Sequence, residues 1–444
     1  MDDILAAGDL SWGICGIGIL AADRQIHKGM LEQERLFTIA TAQGDDTHDF
    51  HVVGSISEYL FAPDSRDAII ERLASPGVRI VSLTVTEGGY CVDVATGKFD
   101  PSHSSLIVDT ELGIAPSFLP LLVEGLALRR SRGVEGLTVL SCDNLTGNGR
   151  IACESVLSYA TLQDVSLADW ISRNVGFPNT MVDGITPRTS REEYNRFSDV
   201  AGIVDSLLVV TEPFTRWVIA DDFKNGRPDW EKCGVEMVDD VEPFEIMKIR
   251  MLNAAHQLLS HVGTLCRYTY VDEAMNDPVI RVFVDHYLAE EALPTLEHPE
   301  LVGADMFRAS VIDRFGNTAL RDTLARNRAQ GSDRIPTFLF PVIQHQLSTG
   351  GSIKFAIATL AAWSLCCEGA AEGSGPPLDD LRERRLIANA IEQKSTGRGF
   401  LEDQTIFGDL GKDPYVHETY GNILDSLRSE GIHATLKRLC ALEL

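Results

Sequence analysis

A short apolar run at residues 11–15 passes directly into Gly16-Ile-Gly18-Ile-Leu-Ala21, after which the sequence reads as helical to about Gln33. A G-x-G-x-x-A turn between a buried strand and a helix is a demanding combination. The glycines permit a tight turn and a close approach of backbone to a pyrophosphate at the helix N-terminus, and Ala21 lets helix and strand pack closely. A buried strand followed by an ordinary turn would read the same way, so the motif alone does not decide the fold. The downstream pattern does. Residues 36–41, 79–86 and 137–141 are further apolar, β-branched strand candidates separated by helical stretches. Strands alternating with helices specify an α/β domain built on a largely parallel sheet.

Residues 227–241 are polar and lead into Asp239-Asp240, which sets a domain boundary: 1–240 as a Rossmann-like dinucleotide-binding domain, 241–444 as a mostly α-helical domain. Helices are expected there over 243–265, 278–290, 317–330, 351–367, 378–393 and 420–440, with a Gly/Pro/Ser loop at 369–377. Substrate is expected in a cleft between the two domains.

Charge and cysteine usage narrow the function. A formal charge of −26 and a pI near 4.8 argue against nucleic acid or an anionic membrane as partner, since both select clustered Lys and Arg. Met1-Asp-Asp-Ile has no basic leader and no 18-residue apolar span comes after it, so a cytoplasmic location is expected. The nine cysteines include no C-x-x-C pair and no His/Cys cluster at metal-ligand spacing, and Cys366-Cys367 lie in an apolar stretch. Reduced core thiols and no metal site are therefore expected. None of the nine tyrosines has a lysine four positions later, which removes another common proton-transfer pair.

Lys248 remains the best candidate for that role. In Lys248-Ile-Arg-Met-Leu-Asn253-Ala-Ala-His256, an α-helical pitch of ~100° per residue places Asn253 ~140° and His256 ~80° around from Lys248. One arc then carries a group that can exchange a proton and neutral donors that can hold an oxygen whose charge changes. A solvated lysine, a helix-end asparagine and a core histidine would give the same residues.

Several ordered blocks decide between these readings: Trp12-Gly-Ile-Cys-Gly-Ile-Gly18, Val81-Ser-Leu-Thr-Val-Thr-Glu-Gly-Gly-Tyr90, Ser141-Cys-Asp-Asn144, Phe177-Pro-Asn-Thr-Met-Val-Asp183, Glu212-Pro-Phe214 and the Lys248 to His256 helix. Together they make the chain resemble the polyol-specific long-chain dehydrogenase/reductase family from Trp12 to its C-terminus. The resemblance implies metal-independent hydride transfer between a nicotinamide and a secondary carbinol, with NAD as cofactor and NADP possible. The small-molecule pair it implies is a polyol and a ketose, D-mannitol and D-fructose. It also implies roles: Lys248 as general acid/base, Asn144 and Asn253 as donors to the reacting oxygen, and His256 orienting a neighbouring hydroxyl. Asp183 and Arg326 would contact sugar hydroxyls, while Thr86, Glu87, Gly88 and Gly89 would line the nicotinamide side. Gly16, Gly18 and Ala21 would cradle the pyrophosphate. An unperturbed lysine, with a pKa of ~10.4, is a poor base at neutral pH, so its environment has to lower that value. Glu245, three residues earlier, is a neighbour on the helix that would relay protons or pair with the lysine.

The second strand ends at Ala40-Thr41-Ala42, where relatives that prefer NAD tend to carry a carboxylate. The first acids come at Asp45 and Asp46, and no Arg or Lys between Leu36 and Phe50 can bind a 2′-phosphate. NAD with weakened discrimination is expected, and Thr41 is the position that would sharpen it. Other departures from the family pattern are Gly184 in place of an arginine, Thr337 near the place of a lysine, and a short N-terminus. The chain is expected to act as a monomer, without nucleic acid or membrane. Two rival readings stay open: a hexuronate reductase acting on fructuronate or tagaturonate, using Arg326, Arg328 or Arg334 for the carboxylate, and a redox-sensing nucleotide binder without turnover.

Overall fold

The computed structural model describes residues 1–43, 48–92, 98–106 and 117–442. The chain forms two compact units, one comprising Met1–Ala42 and His48–Glu242, the other comprising Gln43–Thr47 and Pro243–Leu444. The first is α/β. Its described strands are β1 (Ile14–Gly18), β2 (Phe37–Ala42), β3 (His48–Val53), β4 (Ile56–Phe61), β5 (Ile80–Leu83), β6 (Thr138–Ser141), β7 (Thr180–Asp183), β8 (Val209–Thr211), β9 (Arg216–Ala220) and β10 (Glu236–Val238). Parallel pairs dominate: β1 with β4, β5 with β6, β2 with β8 and β9 with β10. β3 runs antiparallel to β2, and β7 to β9. Buried side chains of β5 and β6 pack with those of the helices Ala62–Ala74, Leu119–Ser131 and Asn148–Gln163 into one core, built on Leu83, Val139, Leu122, Leu126, Ala152 and Val156.

The second unit is helical. Its centre is Lys354–Glu372, on which nearly every side chain from Phe355 to Glu368 is buried. A helix apolar on all sides has no amphipathic stripe because neighbours cover it all round; here they are Ala254–Leu265, Glu383–Thr396 and Pro414–Ser429. Cys366 and Cys367 lie buried on it, and all nine cysteines are free thiols. No helix of the described residues is long and apolar enough to cross a membrane.

Several elements differ from expectation. β1 occupies Ile14–Gly18 instead of 11–15, so Gly16 and Gly18 are strand residues and not the turn. The cause is the neighbouring strand: a Cβ on Gly16 would lie 2.7 Å from the Tyr59 ring, and one on Gly18 would lie 2.8 Å from the Tyr59 hydroxyl and 3.1 Å from the Phe61 ring. The glycines make room for aromatic side chains of β4. A 3₁₀ turn at Ala21–Asp23 then precedes the helix Arg24–Glu32. β5 stops at Leu83, three residues short of expectation, because the next backbone amides bond a side chain instead of a strand.

In the second unit the helix expected over 317–330 is reduced to Leu324–Arg328. Thr323 caps it with its side chain, the Asn317 carboxamide accepts from the Ala319 N–H, and Arg321 has φ 47°. Each of these local bonds competes with helical ones. The expected 420–440 helix is two, Pro414–Ser429 and Ile432–Leu439, separated at Gly431 with φ 82°. Ala304–Phe315, Gly331–Phe338 and Phe340–Thr349 were not expected as helices; Pro336 and Pro341 mask the last two, although Pro341 sits at a helix start where its missing N–H costs nothing.

Candidate active site

In the first unit the C-terminal ends of β5 and β6 and the start of β7 are tied together by side chains. The Asp143 carboxylate accepts from the Thr86 N–H at 2.8 Å, the Val85 N–H at 3.1 Å and the Tyr90 hydroxyl at 2.6 Å. Tyr90 is fully buried, and its hydroxyl also meets Ser141 Oγ at 2.6 Å. Burial, together with the Asp143 hydrogen bond, pushes the Tyr90 pKa far above that of a free phenol, so it is a donor throughout the accessible range. Buried Asn148 donates to the Asp143 and Thr180 carbonyls, and Thr180 Oγ1 donates to the Ser141 carbonyl. These bonds fix the turns bearing Thr86 to Gly89 and Asn144 at the ends of β5 and β6, and hold the start of the strand that ends in Asp183. Thr86, Glu87, Gly88 and Asn144 are exposed there, whereas Asp183 is buried. A Cβ on Gly88 would meet open space.

At the end of β2, Thr41 is half-buried beside an acid that chain position does not reveal. Antiparallel pairing sets Asp49 of β3 directly opposite Thr41, and opposed residues point to the same face. Asp49 is exposed, while Asp45 and Asp46 lie outside the described residues. The first unit thus fits a dinucleotide: β1 leads through the turn at Ala21 into a helix N-terminus, Gly88 leaves an open flank, and a carboxylate stands at the end of β2.

In the second unit the stretch bearing Lys248 is not a regular α-helix. Glu242–Lys248 is α-helical, Ile249–Asn253 is a π-turn, and Ala254–Leu265 is α-helical again. The Ala254 N–H reaches back to the Ile249 carbonyl, an i→i+5 bond. The assumed 100° per residue therefore fails across this stretch. An i→i+5 turn needs more residues per revolution, so residues five apart come nearly one above the other. Lys248 and Asn253, ~140° apart at α-helical pitch, are carried towards the same side. Met251 to Gly263 is buried throughout except at Asn253 and His256, so the run opens only at two of the expected residues. Glu245 is buried one turn before Lys248.

The π-turn has a support that the sequence does not announce. Tyr287, fully buried, donates its hydroxyl to the Arg250 carbonyl at 3.0 Å, and Arg250 donates to the Thr295 carbonyl. Tyr287 itself begins a second π-turn, Tyr287–Ala292, which contains buried Glu291. Burial raises the Glu291 pKa to about 7, against the opposing pull of hydrogen bonds from the Phe355 and Ala356 amides and Ser352.

The His256 ring packs against Phe315, centroids 4.2 Å apart and the planes tilted by 41°, and interacts electrostatically with Asp322, another residue missed from sequence. Buried Asp322 grips Arg326 through two bonds of 2.7 and 2.6 Å and accepts from Asn327. Burial opposes its charge, but the Arg326 and Asn327 hydrogen bonds and the nearby His256 outweigh that and hold its pKa below the ordinary value. The i,i+4 spacing of Asp322 and Arg326 is a recognisable pair signal, hidden because the helix starts between them. Arg334 donates to the Arg326 and Asn327 carbonyls, and Arg328 is buried. Thr337 caps back onto the Asp333 carbonyl. Among the described residues no group of three His, Cys, Asp or Glu is arranged to hold a metal ion.

The chain matches the model of the mannitol dehydrogenase Rossmann domain over residues 3–232 and that of the mannitol dehydrogenase C-terminal domain over residues 240–428. It is similar to mannitol 2-dehydrogenase of Phaeosphaeria nodorum, at 36% identity over 431 residues, covering 96% of this chain and 75% of the relative. It is also similar to D-mannonate oxidoreductase of Escherichia coli, at 37% over 372 residues, covering 83% and 76%. A solved structure of Pseudomonas fluorescens mannitol 2-dehydrogenase, in ternary complex with NAD and D-mannitol, aligns with a TM-score of 0.84 at 36% identity, covering 99% of this chain and 90% of that one.

Proposed function

The chain belongs to the mannitol dehydrogenase family and is an oxidoreductase, and from that premise we propose that it interconverts a polyol and a ketose, D-mannitol and D-fructose, with NAD and without a metal. The observation that carries the reading is the π-turn that brings Lys248 and Asn253 towards one side of the helix, next to the opening at His256.

NAD, when bound, supplies the hydride acceptor and NADH the donor. The turn at Ala21 and the adjoining helix N-terminus, just beyond Gly16 and Gly18 of β1, would hold the pyrophosphate, Asp49 beside Thr41 would take the ribose, and Thr86 to Gly89 would line the nicotinamide side. In oxidation the neutral Lys248 amine takes the hydroxyl proton; in reduction its ammonium form returns it. Asn253 and Asn144 donate to the oxygen as it gains alkoxide character, each worth about 2.7–4 kcal/mol in the transition state by analogy with other oxyanion donors. His256 orients a neighbouring hydroxyl, and Asp183 and Arg326 bind further hydroxyls. Glu245 links Lys248 to solvent protons.

A neutral substrate is favoured because one edge of the Arg326 guanidinium is taken by the Asp322 carboxylate, whose charge offsets that of the arginine. The similarity to D-mannonate oxidoreductase supports a hexuronate as the second reading. NADH consumption with D-fructose against D-fructuronate separates the two. A kcat/KM for fructuronate tenfold above that for fructose, about 1.4 kcal/mol, overturns the polyol assignment. Turnover with neither favours a binder that senses redox state. Activity is expected to survive exhaustive chelation; loss restored only by zinc would refute the lysine mechanism.

A further inference from the structure

Thr86 has φ 61° and ψ 173°, a region of backbone space that glycine enters and β-branched residues avoid. Neither Gly88 nor Gly89 has a positive φ, so the strained position in this turn is the threonine and not the glycines beside it. Such a conformation persists only where its surroundings enforce it. The enforcing group is one carboxylate. Asp143 takes the amides of Val85 and Thr86 and the hydroxyl of Tyr90, gripping the turn at both ends. Its own backbone is anchored by Asn148, and the next residue is Asn144.

We propose that Asp143 is a positioning residue for the cofactor site, holding Thr86 in its strained conformation so that the Thr86 to Gly89 backbone is preset for the nicotinamide end of the dinucleotide. This rests on the proposed role of Thr86 to Gly89 in lining the nicotinamide side. Only an ionised carboxylate offers acceptors to all three donors at once. An isosteric amide replaces one oxygen with an NH₂ group that must face a donor, and the turn then relaxes to a conformation that suits threonine. Glycine at position 86 has no such preference, so the same turn would persist with a weaker anchor.

The test is the dissociation constant of NADH, read by quenching of protein fluorescence, for wild type, Asp143→Asn, Thr86→Gly and the double variant, with thermal melting alongside. Asp143→Asn is expected to raise Kd at least tenfold in the wild-type background and by no more than threefold in the Thr86→Gly background. A side chain that merely supports the fold would lower the melting temperature equally in both backgrounds and show no such rescue, which would overturn the inference. A Kd within twofold of wild type for Asp143→Asn would also overturn it. Should Asp143→Asn fail to fold, Tyr90→Phe removes one of the three donors and must weaken binding with the same background dependence; equal effects in both backgrounds again refute. Wild type that binds no NADH would overturn the cofactor reading and this inference with it, whereas binding that is normal and indifferent to Asp143 overturns the inference alone.

Discussion

Replacing Tyr287 with Phe deletes one hydroxyl and leaves the ring, so it opens no cavity and removes a single hydrogen bond, that to the Arg250 carbonyl at 3.0 Å. Tyr287 is fully buried and Arg250 half-buried, and a carbonyl left there without its donor costs about 1–3 kcal/mol, offset in part because the phenol no longer has to be desolvated. A net loss of about 1.5 kcal/mol in a unit of about 200 residues corresponds to a fall in Tm of about 3–6 °C. The larger effect is expected on turnover. Without its outside donor the π-turn loses to regular α-helical pitch, Asn253 swings ~140° from Lys248, and the oxygen loses one donor. That loss lowers kcat by about 10²–10³, with Kd for NADH unchanged. Steady-state NADH absorbance measures this, and Asn253→Ala sets its ceiling. Because both variants remove the same interaction, Tyr287→Phe should have little further effect once Asn253 is gone. A kcat within twofold of wild type, accompanied by the expected Tm loss, would show that the π-turn does not depend on Tyr287 or does not serve catalysis.

Lys248→Ala should lower turnover by roughly 10²–10⁴ while NADH binding stays intact; unchanged turnover would remove the lysine from the mechanism. Asp49→Ala should reduce the NAD over NADP ratio of kcat/KM by about tenfold, the value of one hydrogen bond to a charged group, and Thr41→Asp should raise it; ratios indifferent to both would place selectivity elsewhere. The Glu291 pKa is raised in the folded state, so the folded protein binds this proton more tightly than the unfolded chain. The associated stability is present at acidic pH and is lost as pH rises through about 7, with a slope of at most about 1.4 kcal/mol per pH unit. Chemical denaturation across that range should show the decline in wild type and a flatter profile in Glu291→Gln; identical profiles would mean that Glu291 is ionised in both states.

Sequence by itself determined the architecture and named the candidate residues of the site. An alternation of short apolar runs with helical stretches around glycine turns admits little but an α/β domain, and residues with chemistry stood in ordered blocks from Gly16 to Arg326. The first is a property of one-dimensional periodicity, the second of residue order along the chain, on which the family resemblance rests. Register, pitch and pairing were decided only in three dimensions. β1 slid towards Gly18 because Tyr59 and Phe61 on a strand some forty residues away needed the glycines' empty side. Opposite Thr41, at the end of β2 where the sequence shows no acid, the sheet sets Asp49 of β3. Asp143 and Asp322 looked like ordinary acids in the sequence, yet each holds donors from several places at once. The helix at Lys248 departed from 3.6 residues per turn through a carbonyl bonded by Tyr287, 37 positions beyond Arg250. Local propensity acts over a few neighbours, whereas a buried polar group must find its partner wherever the fold supplies one. The partners that aim these side chains are distant in the chain, and so the aim itself is a property of the tertiary structure.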